Sequence, residues 1–269
     1  MEWRPRIEQP RRYRLSELDE DWATRTNPRG ETPEIDFACS EPFPALSNAA
    51  CDEVLAIIEA HRSRCFVSAR SASLRGVPSL QAAFGSEATS SLVTSVVGEP
   101  LKVHPMRLEH AHVNLQVPGR PVVDGWHTDY VPFVIVVMLR RSPGDGGALR
   151  VEGGPRFMLE PGQAIVMQGS HVRHQAEAAE RSRTTLVISL VPASLSRWDT
   201  TWVHRDQLPY SPEEPLHEQF EAYRLENVTR LEAQIAKADD GSREALQARL
   251  DRETAHIVAC RAHGAEGQR

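Results

Sequence analysis

The segment Val131–Leu139, VPFVIVVML, constrains the fold more than any other part of the chain. It is dense in β-branched residues and interrupted only by Pro132, which predicts a strand buried on both faces. At nine residues it is too short for a membrane-spanning helix, and no longer apolar run exists. Similar short segments surround it between Leu101 and Val191. MRLEHAHVNLQV alternates over part of its length, and ALRVEG, RFMLE, QAIVMQ and RTTLVISLV follow. SPGDGG and EPGQ are turn signals between them. At least six closely spaced strands with no convincing helix between them predict a β-sandwich or barrel.

The flanks read differently. Residues 1–42 are polar and dotted with proline, and are expected to lie irregularly over the surface. A helix is predicted after Ser47, which can cap it, with Ala49, Val54, Leu55, Ile57 and Ile58 on its apolar face. A second is predicted over Pro78 to Val97 and stopped by Gly98. Beyond Arg197, residues Leu216, Phe220, Tyr223, Leu231 and Ile235 share one helical face. Asp239, Asp240, Gly241 and Ser242 break that helix, and Ser242 is the expected cap of another carrying Leu246, Leu250 and Ile257. This divides the chain into an irregular segment (1–42), a central domain with flanking helices (43–212) and a helical extension (213–269). The extension is expected to pack on the central domain or to join two copies of the chain, so a monomer and a homodimer are both open.

A net charge of −6 gives no general grip on nucleic acid or anionic membranes. The four cysteines, Cys39, Cys51, Cys65 and Cys260, have no C-x-x-C spacing, which argues against a zinc ribbon or redox pair. They read as reduced thiols of a cytoplasmic protein. The N-terminal MEWRPRIEQPRRYR has no apolar stretch after its charges, so a secretory signal is not expected.

The chemistry concentrates in GWHTDYVPF, GSHVRHQ and RSRTTLVISL. His127 and Asp129 are separated by one residue, and in extended chain residues i and i+2 point to one side. An imidazole and a carboxylate can then reach one ion. His174, 45 residues after Asp129, is the candidate third ligand. Two histidines and one carboxylate make the facial ligand set of non-haem iron(II) oxygenases. His171 competes with His174, and Arg181 with Arg183. Arg183 lies nine residues after His174 at the start of a strand, with Thr185 facing the same way. That guanidinium and hydroxyl could hold the distal carboxylate of 2-oxoglutarate. Asn114 and Gln116 share a strand face with His110 and His112, and Asn114 is a candidate donor to the same co-substrate. Arg107, His112, Tyr130, Trp198 and Trp202 are candidate substrate contacts.

On these residues the chain resembles the iron(II)- and 2-oxoglutarate-dependent dioxygenase superfamily over roughly residues 101–192. The resemblance rests on H-x-D at His127 and Asp129, the distal His174, and R-x-S/T at Arg183 and Thr185. The GGAL turn and strand at Gly146 to Leu149 and the PGQAIVM strand before the distal histidine add to it. The short span from Asp129 to His174 is similar to the compact prolyl-hydroxylase and phytanoyl-hydroxylase type.

The resemblance implies an α+β, mainly β fold: a double-stranded β-helix, or jelly roll, with iron between two sheets. It implies Fe(2+) as cofactor, held by His127, Asp129 and His174, with 2-oxoglutarate and O2 as co-substrates. It implies hydroxylation of an unactivated C–H bond, with succinate and CO2 as co-products. Asp129 argues against halogenation, which in this group goes with a small residue at the carboxylate position. Desaturation, epoxidation or cyclisation on the same scaffold, and a non-catalytic cupin-like metal-binding protein, are the rival readings. The expected substrate is a small molecule, such as a secondary-metabolism intermediate, with a peptide or carrier-bound substrate also open. Specificity is expected in residues 65–90, 104–124 and 192–215.

Overall fold

The computed structural model describes residues 3–4, 8–67, 72–116, 122–144, 146–195, 197–202 and 216–266. Its contacts divide the chain into two compact units, Met1–Ala193 and Ser194–Arg269.

The first unit begins with β1 (Arg12–Tyr13), the single turn α1 (Leu15–Leu18), β2 (Cys39–Ser40) and β3 (Phe43–Pro44). Phe37, Ala38 and Cys39 are buried, and the β1–β2 ladder joins a larger sheet through Cys39. Helix α2 (Asn48–Ala60) starts where expected, because Ser47 is extended and its side chain accepts the Ala50 N–H. After β4 (Phe66–Val67) and β5 (Ala72–Arg75) the expected single helix is two, α3 (Pro78–Phe84) and α4 (Glu87–Val97). The break falls at Gly85–Ser86, where Ser86 leaves the helical region and starts α4 as its N-cap. Gly98 ends α4 with φ +85°, a left-handed conformation that glycine adopts without a Cβ clash.

Strand β6 (Leu101–Val103), the turn α5 (Arg107–His110) and β7 (Ala111–Leu115) follow. Part of the expected strand MRLEHAHVNLQV is therefore helical, and His110 does not share the face of His112 and Asn114. The remaining strands are β8 (Val122–His127), β9 (Phe133–Arg141), β10 (Leu149–Val151), β11 (Arg156–Phe157), β12 (Gln163–Met167), β13 (His174–Glu177) and β14 (Arg183–Pro192).

Every described pairing is antiparallel. One sheet runs β1-β2-β12-β9-β14-β7-β5-β4, with β3 beside β12 and β6 beside β14. The second runs β11-β10-β13-β8. The continuous apolar run at β9 is explained by its central place between β12 and β14, with both faces covered. Its side chains alternate. Phe133, Ile135, Val137 and Leu139 join a cluster with Val54 and Ile58 of α2, Leu80 and Phe84 of α3, and Val93 and Val96 of α4. Val134, Val136 and Met138 join another with Leu149, Val151 and Phe157 of the second sheet. Each such aliphatic side chain contributes roughly 1.5–3 kcal/mol by leaving water. On β14, Leu186, Ile188 and Leu190 belong to the helix-side cluster and Val187 to the other. By the same alternation Arg183 and Thr185 face the second sheet.

The second unit contains α6 (Leu216–Ile235) and α7 (Asp240–Glu266), which pack together. Asp239, not Ser242, caps α7: its carboxylate accepts the Ser242 N–H at 2.9 Å and the Ser242 hydroxyl at 2.6 Å. An aspartate one position before the helix meets the orphan N–H groups that a serine inside it cannot. Phe220, Tyr223 and Leu231 are buried as expected, but Arg224 is fully buried beside them. Its guanidinium donates to both Glu253 oxygens, at 3.0 and 3.1 Å, and to the carbonyls of Asp199 and Thr201. Tyr223 donates to the Asp199 carboxylate. The helix pair is thus held by a buried ion network as well as an apolar stripe. Among the described residues, no helix is long and apolar enough to cross a membrane.

Candidate metal centre

Strand β8 ends at His127 and β13 begins at His174. The two strands pair with these residues directly opposite, so their ring centroids lie 4.3 Å apart. Asp129 lies two residues past β8, and its N–H donates to the Gly169 carbonyl at 2.8 Å, tying it to the loop before β13. The Asp129 Oδ1 atom stands 3.6 Å from His127 Nε2 and 3.8 Å from His174 Nε2. Atoms bound about 2.1 Å from one ion stand roughly 3.0–3.5 Å apart, so a small inward movement of these groups encloses a divalent cation. One ligand atom from each of the three residues lies within 4.8 Å of the others.

The surroundings prepare the histidines for that task. His127 Nδ1 lies 2.6 Å from the Gly125 carbonyl and His174 Nδ1 2.9 Å from the Val172 carbonyl. A carbonyl only accepts, so each Nδ1 carries a proton, which leaves Nε2 as the atom of each ring that can bind a metal. Burial lowers the pKa of His174. Burial also opposes charge on His127, but the Asp129 and Asp124 carboxylates outweigh it and push that ring up to about 9. Asp129 is held at about 2 despite its burial, because His174 and His127 favour its anion. Its Oδ2 is buried without a hydrogen-bond partner among the described residues. A buried carboxylate oxygen left over beside two imidazole Nε2 atoms is a donor set that fits a divalent metal, which would displace the proton His127 carries.

Arg183 and Thr185 start β14 and are almost wholly buried. The guanidinium donates from Nε to the Gly147 carbonyl at 3.1 Å and from Nη1 to Thr185 Oγ1 at 3.5 Å, so the two side chains run together. Burial lowers the Arg183 pKa to about 10, and the Asp124 and Glu177 carboxylates work against that fall. No carboxylate stands within ion-pair distance of Arg183 among the described residues. Asn114 on β7 lies directly across from Thr185, on the same face of the sheet. Gln116 serves the backbone instead, its amide exchanging two hydrogen bonds with Ala179.

The rival residues have other settings. His171 contacts the Ser170 hydroxyl and the Glu31 carbonyl. Arg181 is exposed ahead of β14. Tyr130 is exposed beside Asp129, Arg107 lies in the α5 turn, and Trp198 and Trp202 belong to the second unit. The regions expected to set specificity lie partly outside the described residues.

Three neighbours of the triad escaped the sequence reading or were underweighted by it. Asp124 Oδ2 is 3.5 Å from His127 Nε2. His112, opposite Val187 and Arg75 on the inter-sheet face, is close enough to Asp129 for their charges to interact. Gly169 packs on the Asp129 carboxylate so closely that a Cβ there would stand 2.0 Å from Oδ2. Gly125, a glycine inside a strand, was the one available signal for the local irregularity that aims Asp124 inward.

No protein-family profile matches the chain, and no curated protein does. Among solved structures it is similar to SnoK, a non-haem α-ketoglutarate-dependent carbocyclase of nogalamycin biosynthesis. That likeness has 14% identity and a TM-score of 0.50, over 66% of this chain and 88% of SnoK. A 2OG-Fe(II) oxygenase family member from Burkholderia pseudomallei is similar at 21% identity and a TM-score of 0.41, over 51% of this chain and 76% of that one. A Pseudomonas putida prolyl-4-hydroxylase is similar at 15% identity and a TM-score of 0.41, over 58% and 92%. Over the matched part the chain shares the fold of SnoK.

Proposed function

We propose that this protein is an iron(II)- and 2-oxoglutarate-dependent oxygenase that hydroxylates an unactivated C–H bond of a small molecule. The carrying observation is the convergence of His127 Nε2, His174 Nε2 and Asp129 Oδ1 beside a sheet face that presents buried Arg183 and Thr185. On this reading the two antiparallel sheets form a double-stranded β-helix. Iron(II) bound with 2-oxoglutarate supplies dioxygen activation, one oxygen atom entering the substrate and the other the succinate released with CO2.

The chain's own residues hold and orient. His127, Asp129 and His174 would hold the ion with three protein ligands, a number that leaves room for exchangeable groups. Arg183 and Thr185 donate to the distal carboxylate of the co-substrate, and Asn114 donates to the carboxylate at its metal-binding end. Val134, Val136, Met138 and Val187 line the inter-sheet core and keep it dry, which strengthens these polar contacts.

Purified protein loaded with iron(II) without oxygen should bind 2-oxoglutarate. Admission of air with a metabolite mixture should then form succinate in step with a product 16 mass units heavier than one component. Metal-loaded protein with no affinity for 2-oxoglutarate overturns the reading.

A further inference from the structure

We propose that Asp124 sets the charge preference of this centre, its carboxylate favouring the divalent ion and disfavouring a dianionic co-substrate. The inference rests on the oxygenase reading and adds to it a residue outside the ligand set. In a regular strand, residues three apart point to opposite sides. Asp124 and His127 do not, because β8 is irregular. His127 pairs with His174 and Asp124 with Ala176, so β8 spends three residues where β13 spends two. The extra residue is a β-bulge around Gly125 and Trp126, and a bulge re-aims the side chains that flank it. Trp126 consequently lies under the Arg150 and Arg173 guanidinium groups, while the Asp124 carboxylate reaches His127 Nε2 at 3.5 Å. That is as close as Asp129 comes, at 3.6 Å.

Asp124 therefore brings a second carboxylate to the metal-facing nitrogen of His127. It is also the carboxylate that most favours the Arg183 cation. It touches electrostatically both groups that the co-substrate must bridge. Removing the Asp124 charge makes the centre one unit more positive whether it is empty, holds a divalent ion, or holds the ion together with a dianionic acid. In a partly buried site, one unit of charge at this range is worth about a tenfold change in affinity or more. The signs for cation and anion are opposite.

The test measures binding only. Manganese(II) affinity, and the affinities of the manganese-loaded protein for 2-oxoglutarate and pyruvate, are measured by calorimetry for wild type, Asp124→Asn, Asp124→Ser and Asp124→Glu. The neutral variants should bind manganese about tenfold more weakly and 2-oxoglutarate about tenfold more tightly, with a smaller gain for monoanionic pyruvate. Asp124→Glu, which keeps the charge, should stay near wild type. Neutral variants that move both affinities in one direction, or neither by more than about twofold, overturn the proposal and leave the oxygenase reading standing. Wild-type protein that binds manganese but no 2-oxoglutarate overturns the oxygenase reading itself, and this proposal with it.

Discussion

Gly169→Ala should disable the metal centre without unfolding the protein. Gly169 is buried in the loop before β13, and its carbonyl accepts the Asp129 N–H. Its φ is not positive, so alanine adopts the same backbone without strain. The obstacle is the side chain it faces. A Cβ at residue 169 would lie 2.0 Å from Asp129 Oδ2 and 2.8 Å from both Asp129 Cβ and Cγ. A carbon and an oxygen in ordinary contact stand about 3.3 Å apart, so the carboxylate must move by roughly 1 Å. Metal–ligand distances tolerate only about 0.2 Å, so Asp129 is lost as a well-placed ligand. Loss of a group that orients a ligand typically costs about 10–100-fold in metal affinity, and the displacement here is direct, so the upper end is expected. The assay is calorimetric titration with manganese(II), paired with thermal unfolding of the metal-free proteins. Weaker metal binding with a melting temperature near wild type is the expected result. A Gly169→Ala protein that binds manganese as wild type does refutes the reasoning, since the carboxylate would then bind no metal or have room to spare.

Three other outcomes follow from the same geometry. Arg183→Ala should leave metal affinity within a few-fold and weaken 2-oxoglutarate by about 2–4 kcal/mol, checked by titrating the manganese-loaded protein. Unchanged affinity would point to another base as the anchor. Asp129→Gly should abolish substrate-coupled succinate formation, because one of three protein ligands is gone; full turnover by the variant would remove Asp129 from the ligand set. In the second unit, burial and the Asp199 charge hold the Glu253 carboxyl at about 6 against the pull of Arg224, above its ordinary 4.5. A raised carboxyl pKa means that the folded state binds the proton more tightly, so this contribution is present below about pH 4.5 and lost as pH rises through 6. Glu253→Gln should therefore reduce, by up to about 2 kcal/mol, the stability difference between pH 4.5 and pH 7 seen in urea unfolding. A pH profile that parallels wild type would show that Glu253 does not titrate differently on folding.

The residues of the candidate centre stand out in the sequence because local spacing groups them. His127 and Asp129 sit two apart at the end of a strand, His174 follows a PG-initiated strand, and Arg183 and Thr185 alternate within one strand. A period of two is a property of extended backbone and needs no knowledge of neighbours. The β-rich centre, the Ser47 cap and the Gly98 stop were readable for the same reason: each depends on a few adjacent residues. The sequence by itself determined which side chains could act together on a strand face. It did not determine pairing. Only tertiary structure placed His127 opposite His174, since antiparallel register between strands 47 residues apart leaves no trace in either segment. Only it turned Asp124 inward, through a bulge whose sequence mark is a single glycine. It alone set Gly169 against the Asp129 carboxylate, a contact between chain segments 40 residues apart. The polar seam of the helical unit was hidden for a related reason. Helical periodicity marks Phe220, Tyr223 and Leu231 as a buried face and sets Arg224 on it, but the partner that lets an arginine be buried there, Glu253, lies 29 residues on and meets it only in the folded chain. Hydrophobic pattern is local physics, whereas satisfaction of a buried charge depends on a partner that only the folded chain supplies.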